Sequence, residues 1–241
     1  MEFLWKRYLM FKFLVLWNIN PDHWKTLYSL PKSITSDSKL INFQFKLLHR
    51  IIYTNTRLMK CGLKETELCT FCKNDRETIL HLFSDCIHVQ SFWTTIRHFL
   101  EIKCSITFEP EPFLNILGIQ DLQNNLFYEL NFLLLISRYF IYMCKLRETT
   151  PTVDAFFTFI RYYRKIEEYG LYSYNQRRQQ QIKNKWLFIE KMYLWLQYVH
   201  IKFSIYKLFL SIQLPDHHKR GTLRSWLVFN FCYIALCHFM N

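Results

Sequence analysis

The stretch LCTFCKNDRETILHLFSDC, residues 68–86, decides the local fold of this 241-residue chain. It places three thiols and one imidazole close together as Cys69-x2-Cys72-x8-His81-x4-Cys86. A two-residue gap lets two cysteines of a tight turn face one point, and a short helix returns a histidine and a following cysteine to it. The spacing therefore predicts a closed Zn²⁺ site. Because four protein ligands leave no position for a reacting water, its role is structural.

Other cysteines nearby leave the ligand set open at the level of sequence. Cys61 and Cys104 lie close enough along the chain to replace one of the four ligands. The alternative to a metal site is a set of free cysteines that pack as small apolar side chains. His88 is expected to be a surface or core histidine rather than a fifth ligand.

Composition restricts the fold class. Half of the side chains are hydrophobic (51%) and 19% are aromatic, but the chain has four glycines. Few glycines argue against glycine-rich nucleotide folds and against β-sandwiches with many turns, and the high apolar content argues against wholesale disorder. We therefore predict a mainly α-helical chain with one small zinc-stabilised CCHC knuckle and little or no β-sheet.

Apolar periodicity and punctuation residues locate the helices. A linker is predicted over residues 31–38, followed by an amphipathic helix from Lys39 with an apolar side and a cationic side. Short helices are predicted over residues 77–83 and 89–100, and a long apolar helix over 126–146. Thr152 is predicted to begin a further helix, and the basic, glutamine-rich segment 174–186 to be polar and flexible.

The net charge of +12 favours an anionic partner and is unevenly distributed. The zinc segment lies in an acidic middle region, so the cations must come from the segments that flank it. The candidate phosphate-binding side chains are Lys39, Lys46, Arg50, Arg57, Arg161, Arg164, Lys165, Arg177, Arg178, Lys183 and Lys185. The spacing of the first three predicts one helix face. Phe71 is a candidate for stacking on an unpaired base.

A family resemblance rests on several of these residues. The run FQFKLLHRII (residues 43–52) with Thr54-Asn55 resembles the helix before the zinc module in non-LTR (long interspersed) retrotransposon reverse-transcriptase polyproteins. Residues 68–72, 77–83 and 91–93, with Cys86, resemble the zinc module itself. Residues 141–145, Pro151, Phe156 and residues 163–169 resemble the helical tail of such polyproteins.

The resemblance implies nucleic-acid binding, to the element's RNA or to target DNA. The polymerase of this family needs paired aspartates for two metal ions, and the chain has no Asp-Asp pair. It also has no run that fits an endonuclease. We therefore expect a remnant without enzymatic activity, divided into an N-terminal helical segment and linker (1–39), the zinc-binding domain (40–105), a helical C-terminal region (106–190) and an unassigned apolar and basic tail (191–241).

Two other function classes remain open from the sequence. The zinc module and its aromatic surface could dock another protein, for which the acidic middle region is the best support. Residues 187–240 could associate with a membrane, although stable insertion is not expected because charged residues interrupt them. No convincing signal peptide is present, so we expect an intracellular protein, nuclear or cytoplasmic and not secreted.

Overall fold

The structure is a computed structural model that describes residues 23–105, 114–118 and 126–212. The predicted acidic separator at residues 109–112 and the apolar stretch 226–240 lie outside this range, as do residues 1–22. The chain divides into two compact units between Leu196 and Gln197. The contacts given below lie within the first unit.

Helices dominate the described residues, which contain no β-sheet and a single isolated β-bridge between Leu68 and Arg76. The mainly α-helical prediction is thus confirmed. In chain order the helices are α1 (His23–Ile34), α2 (Ser38–Leu48), α3 (Asn55–Lys60), a π-helical turn (His81–Asp85), α4 (Ile87–Cys104), the short α5 (Leu114–Leu117), α6 (Phe127–Leu146), α7 (Val153–Tyr169), a 3₁₀ turn (Leu171–Ser173) and α8 (Gln176–Ile212).

Side-chain caps set where several helices begin. The Asp37 carboxylate accepts from the Lys39 backbone N–H at 2.7 Å and starts α2. The Thr54 and Thr152 hydroxyls accept from backbone N–H groups three residues later and start α3 and α7. These bonds satisfy amides that have no partner inside the helix, so polar residues at these positions fix the boundaries.

Helix α6 is the centre of the first unit. Apolar side chains on every side of it are buried, among them Leu130, Leu133, Leu135 and Ile136. It contacts α1, α2, α5, α7 and the π-turn. These contacts cross the sequence positions 39/40 and 105/106 at which we placed domain boundaries, because an all-round apolar helix must be covered by several neighbours.

Three details differ from the sequence predictions. The predicted linker 31–38 is shortened to residues 35–37: α1 continues through Pro31 to Ile34, since burial of Leu27, Leu30 and Ile34 outweighs the amide hydrogen bond that proline lacks. The segment 174–186 is not flexible, because it forms the beginning of α8 and buries Ile182 and Trp186. The predicted short helix 77–83 begins two residues later, at Ile79, and becomes π-helical at His81.

Candidate metal centre

The four predicted ligands lie together. The ligand atoms of Cys69, Cys72, His81 and Cys86 all lie within 4.8 Å of one another. The Cys69 and Cys86 Sγ atoms are 3.8 Å apart, and Cys72 Sγ is 3.4 Å from His81 Nε2. Cys69 and Cys86 are fully buried and His81 is 8% exposed. The sequence pattern thus predicted the members of this cluster correctly.

These distances suit a tetrahedral ion. For zinc bonds of about 2.3 Å to sulfur and about 2.0 Å to nitrogen, the edges of the tetrahedron are about 3.8 Å between sulfurs and roughly 3.5 Å between sulfur and nitrogen. The two separations given above match both edges. Three thiols and one imidazole also form a donor set that zinc prefers. The residues present therefore fit a closed four-ligand metal site.

The local backbone positions the two cysteines of the first turn. Around them, residues 67–77 form a narrow loop, the knuckle loop, in which the Cys69 N–H donates to the Asp75 carbonyl and the Glu77 N–H to the Glu67 carbonyl. Lys73, which follows the second cysteine, has a left-handed backbone (φ 60°) that turns the chain back. The Phe71 N–H donates to Cys69 Sγ at 3.4 Å, a bond that favours a thiolate there.

The π-turn positions the other two ligands. The Cys86 N–H donates to the His81 carbonyl at 3.0 Å, which closes a turn one residue wider than an α-helical turn. The wider turn needs another donor for the Phe83 carbonyl, and the indole Nε1 of Trp93 on α4 supplies it at 2.8 Å. Trp93 is 1% exposed, so this bond fixes the second half of the ligand set to the core.

A hydrogen bond between the buried thiols of Cys69 and Cys86 shifts their pKa values in opposite directions. That bond, followed by burial, raises the pKa of Cys69. The same bond lowers the pKa of Cys86, with help from the backbone amides of His88 and Val89 and against the opposing effect of burial. The metal-free pair therefore holds a proton that a bound cation would displace, as metal-binding cysteines do.

Glu77 is a part of the centre that sequence reasoning missed. Its carboxylate is fully buried and accepts from the backbone N–H groups of Asn55 (2.8 Å) and Thr70 (2.6 Å). The ammonium of Lys145 on α6 lies 3.8 Å from it. The Asn55 side-chain amide donates to the Leu68 carbonyl at 2.6 Å. Glu77 and Asn55 thus fasten the loop that carries Cys69 and Cys72 to α3 and α6.

The other cysteine and histidine alternatives are located as follows. Cys61 is exposed at the end of α3 and is not among the grouped ligands, so it does not replace one of them. His88 is exposed at the beginning of α4. The Cys104 side chain lies outside the described part of the structure.

Most of the predicted phosphate-binding cations are exposed. Lys39 and Lys46 project from α2, Arg57 from α3, Lys165 from α7, and Arg177 and Lys183 from α8. Arg161 is also exposed, but its guanidinium donates to the Tyr193 hydroxyl at 2.6 Å. Arg50 does not share the α2 face with Lys39 and Lys46: α2 ends at Leu48, and Arg50 sits in the turn beyond with φ 55°.

Arg164 and Arg178 are half-buried and form contacts with other parts of the chain. Arg164 forms ion pairs with Glu168 (2.6 Å) and Glu190 (3.4 Å). Arg178 donates to the Ser33 carbonyl at 2.7 Å, which ties α8 to the end of α1.

Lys185 and Phe71 were misjudged as contacts for a nucleic acid. Lys185 is 3% exposed, and its ammonium lies 2.7 and 2.9 Å from the two carboxylate oxygens of Glu167. Phe71 is 9% exposed and cannot offer a ring face to a base. The reason is the same for both: α8 and the knuckle loop pack against the core, which periodicity alone does not show. The most exposed aromatic residues among those described are Tyr169 (93%) and Tyr172 (90%).

Comparisons with protein-family models, with curated proteins and with solved structures find no match to this chain. Along the described residues, no helix combines the length and apolar character needed to cross a membrane.

Proposed function

We propose that this chain is a zinc-stabilised nucleic-acid-binding module, a remnant of a non-LTR retrotransposon reverse-transcriptase polyprotein without polymerase or endonuclease activity. The zinc ion is structural and is held by Cys69, Cys72, His81 and Cys86. The observation that carries the proposal is the grouping of these four ligand atoms within 4.8 Å of one another, between segments that carry exposed cations.

The charge distribution supports binding to a polyanion. Seven of the cations named above are exposed: Lys39, Lys46, Arg57, Arg161, Lys165, Arg177 and Lys183. Tyr169 and Tyr172, which lie between Lys165 and Arg177 in the sequence, are exposed. They replace Phe71 as candidates for stacking on unpaired bases. Cations that track phosphates and aromatic rings that stack on bases are the two features that single-strand binding requires.

The role is binding rather than catalysis. A closed ligand set holds a metal away from solvent, and in this centre three of the four ligands are buried. The ion would then fix two loops against α3, α4 and α6 so that the basic segments on either side keep their relative positions.

The proposal is tested by the affinity of the zinc-loaded full chain for a fluorescent single-stranded RNA and the DNA of the same sequence. Six phosphate contacts give a log–log slope of affinity against salt of about −4 to −5. A chain with Cys69→Ser and Cys72→Ser serves as the metal-free control, and its affinity should fall. An affinity that hardly changes between low and physiological salt, or no binding at all, would refute the proposal.

A further inference from the structure

A cleft beside the metal centre has a basic lining. It has a volume of about 420 Å³ and lies between the turn after α2, the helix α3 and the residues directly before His81. Three cations line it, Arg50, Arg57 and Lys60, and none of its nine lining residues is acidic. Lys60 was not among the cations that the sequence singled out.

The rest of the lining is of two kinds. Thr54, Thr56 and Thr78 are polar, and Ile52, Ile79 and Leu80 are apolar. The Thr54 hydroxyl accepts from the Arg57 N–H, the Thr78 hydroxyl accepts from the His81 N–H, and the Thr56 hydroxyl is shielded from solvent. The cleft therefore combines three cations with an apolar wall in one concave place.

We infer that this cleft binds one unpaired nucleotide of a single-stranded polynucleotide, with its phosphate against Arg57 and Lys60. The inference rests on the proposed function and assigns a particular site and strand state to it. Arginine and lysine bind phosphate oxygens through charge-assisted hydrogen bonds, and an apolar wall suits a sugar or base face.

The dimensions favour an unpaired nucleotide. Sites for small ligands occupy about 300–1,000 Å³, and this cleft falls at the lower end of that range. A nucleotide inside a base pair cannot enter a concave site of this size without leaving the stack, whereas an unpaired one can. The inference is therefore for a single strand and against a continuous duplex.

The existing contacts of Arg57 orient it for this role. Its Nη1 donates to the Arg50 carbonyl at 2.9 Å, which restrains the guanidinium beside the cleft. A guanidinium carries several further N–H donors in a planar fork that matches a phosphate group. Because a restrained side chain loses less freedom on binding, it contributes more to affinity than a mobile surface arginine would.

The metal centre fixes one wall of the cleft. Thr78, Ile79 and Leu80 come directly before the ligand His81, and the His81 N–H donates to the Thr78 hydroxyl at 3.1 Å. The opposite wall is α3, which Glu77 holds through the Asn55 N–H. A bound ion would thus hold the two walls at their present separation.

The test compares two double variants of the zinc-loaded full chain that lose the same charge. Arg57→Gln with Lys60→Gln alters the cleft, and Arg147→Gln with Lys191→Gln removes two exposed cations elsewhere. The probe is a fluorescent single strand of about 12 nucleotides, a length within the range of single-strand sites. Because the cleft variant loses two phosphate contacts, we expect its affinity to fall about tenfold or more. The affinity of the control should fall less than about threefold.

Three results would overturn the inference. The first is a cleft variant that binds as tightly as the unaltered chain. The second is an equal loss in the two variants, which would mean that total charge alone matters. The third is a blunt duplex of the same length that binds as tightly as the single strand and loses as much affinity in the cleft variant.

Two further measurements keep the outcome clear. Zinc content and far-ultraviolet circular dichroism show whether the variants fold. If the double variant does not fold, Lys60→Gln alone, at the exposed end of α3, takes its place in the binding assay. If the unaltered chain binds the single strand and the cleft variant binds it equally well, only the assignment of the binding site to the cleft is contradicted. Absence of binding by the unaltered chain contradicts the proposed function as well.

Discussion

At the scale of single residues, Glu77 shows how burial changes the role of an ordinary acidic side chain. In the sequence it stands in a polar, charged stretch that reads as solvent-exposed, yet in the structure it is fully buried. It accepts one backbone N–H bond from Asn55 of α3 and one from Thr70, and it faces the Lys145 ammonium. Burial lowers the pKa of Lys145, and the Glu77 charge opposes that effect. Each charge of the Glu77–Lys145 pair therefore offsets the cost of burying the other.

We expect Glu77→Gln to lower the free energy of unfolding of the full chain by about 3 kcal/mol, because it leaves a buried ammonium without its counter-charge. Urea unfolding followed by circular dichroism measures the change. Adding Lys145→Met to Glu77→Gln should restore part of the loss. Glu65→Gln, on an exposed carboxylate two residues before the loop 67–77, is the matched control and should stay within about 0.5 kcal/mol. If Glu77→Gln lowered the free energy of unfolding by no more than about 0.5 kcal/mol, the buried pair would not stabilise the fold.

At the scale of helices, aromatic packing joins α6 and α7. Tyr139 on α6 and Tyr163 on α7 meet edge to face with ring centroids 6.0 Å apart. Tyr163 is 6% exposed. Burial raises its pKa far above the ordinary value of 10.0, and the hydrogen bond with Tyr139 raises it further. The helix pair therefore depends on a phenol that stays protonated.

This pKa shift predicts a loss of stability in alkali. Above about pH 10 the unfolded chain releases a proton that folded Tyr163 retains, so the free energy of unfolding falls as pH rises, by up to about 1.4 kcal/mol per pH unit for one group. The stabilising effect is complete below that pH. We expect Tyr163→Phe to be slightly less stable than the unaltered chain at pH 8, where it lacks one hydrogen bond, and to fall less steeply between about pH 10 and 11.5.

Urea unfolding over this pH range measures both chains, and their difference isolates one hydroxyl group. Tyr28 and Tyr142 also have pKa values raised by burial, so the unaltered chain should fall more steeply than Tyr163 alone would cause. Parallel stability curves for the two chains would contradict the assignment of the alkaline loss to Tyr163.

At the scale of the whole first unit, side-chain contacts join the metal centre to the helical core. Trp93 joins the π-turn to α4, the Glu77–Lys145 pair joins the knuckle loop to α6, and Phe43 of α2 packs against Phe83 of the π-turn. A metal that binds only the folded centre stabilises everything attached to it, by about 4 kcal/mol at a free concentration one thousand times the dissociation constant.

Removal of zinc with a chelator should therefore lower the unfolding temperature of the full chain rather than leave a folded core with a loose loop. Cys69→Ser should bind less than one equivalent of zinc by elemental analysis, and chelator should have little further effect on it. Cys61→Ser, which alters an exposed thiol outside the ligand group, is the control and should keep both zinc and stability. A chain purified without transition metal that still gives a fully ordered NMR spectrum would end the metal proposal.

The sequence alone determined the helical class, the long helix α6 and the four candidate ligands, because glycine scarcity, apolar periodicity and Cys/His spacing are local properties. The structure then grouped those four residues and left the alternative ligand Cys61 outside the group. Only the tertiary structure decided which polar side chains are buried. Lys185 reads as a surface cation and Glu77 as a surface acid, but each finds its counter-charge on a segment distant in sequence. The cleft at Arg57 and Lys60 likewise exists only because three separate segments meet, and no periodicity within one segment encodes that meeting.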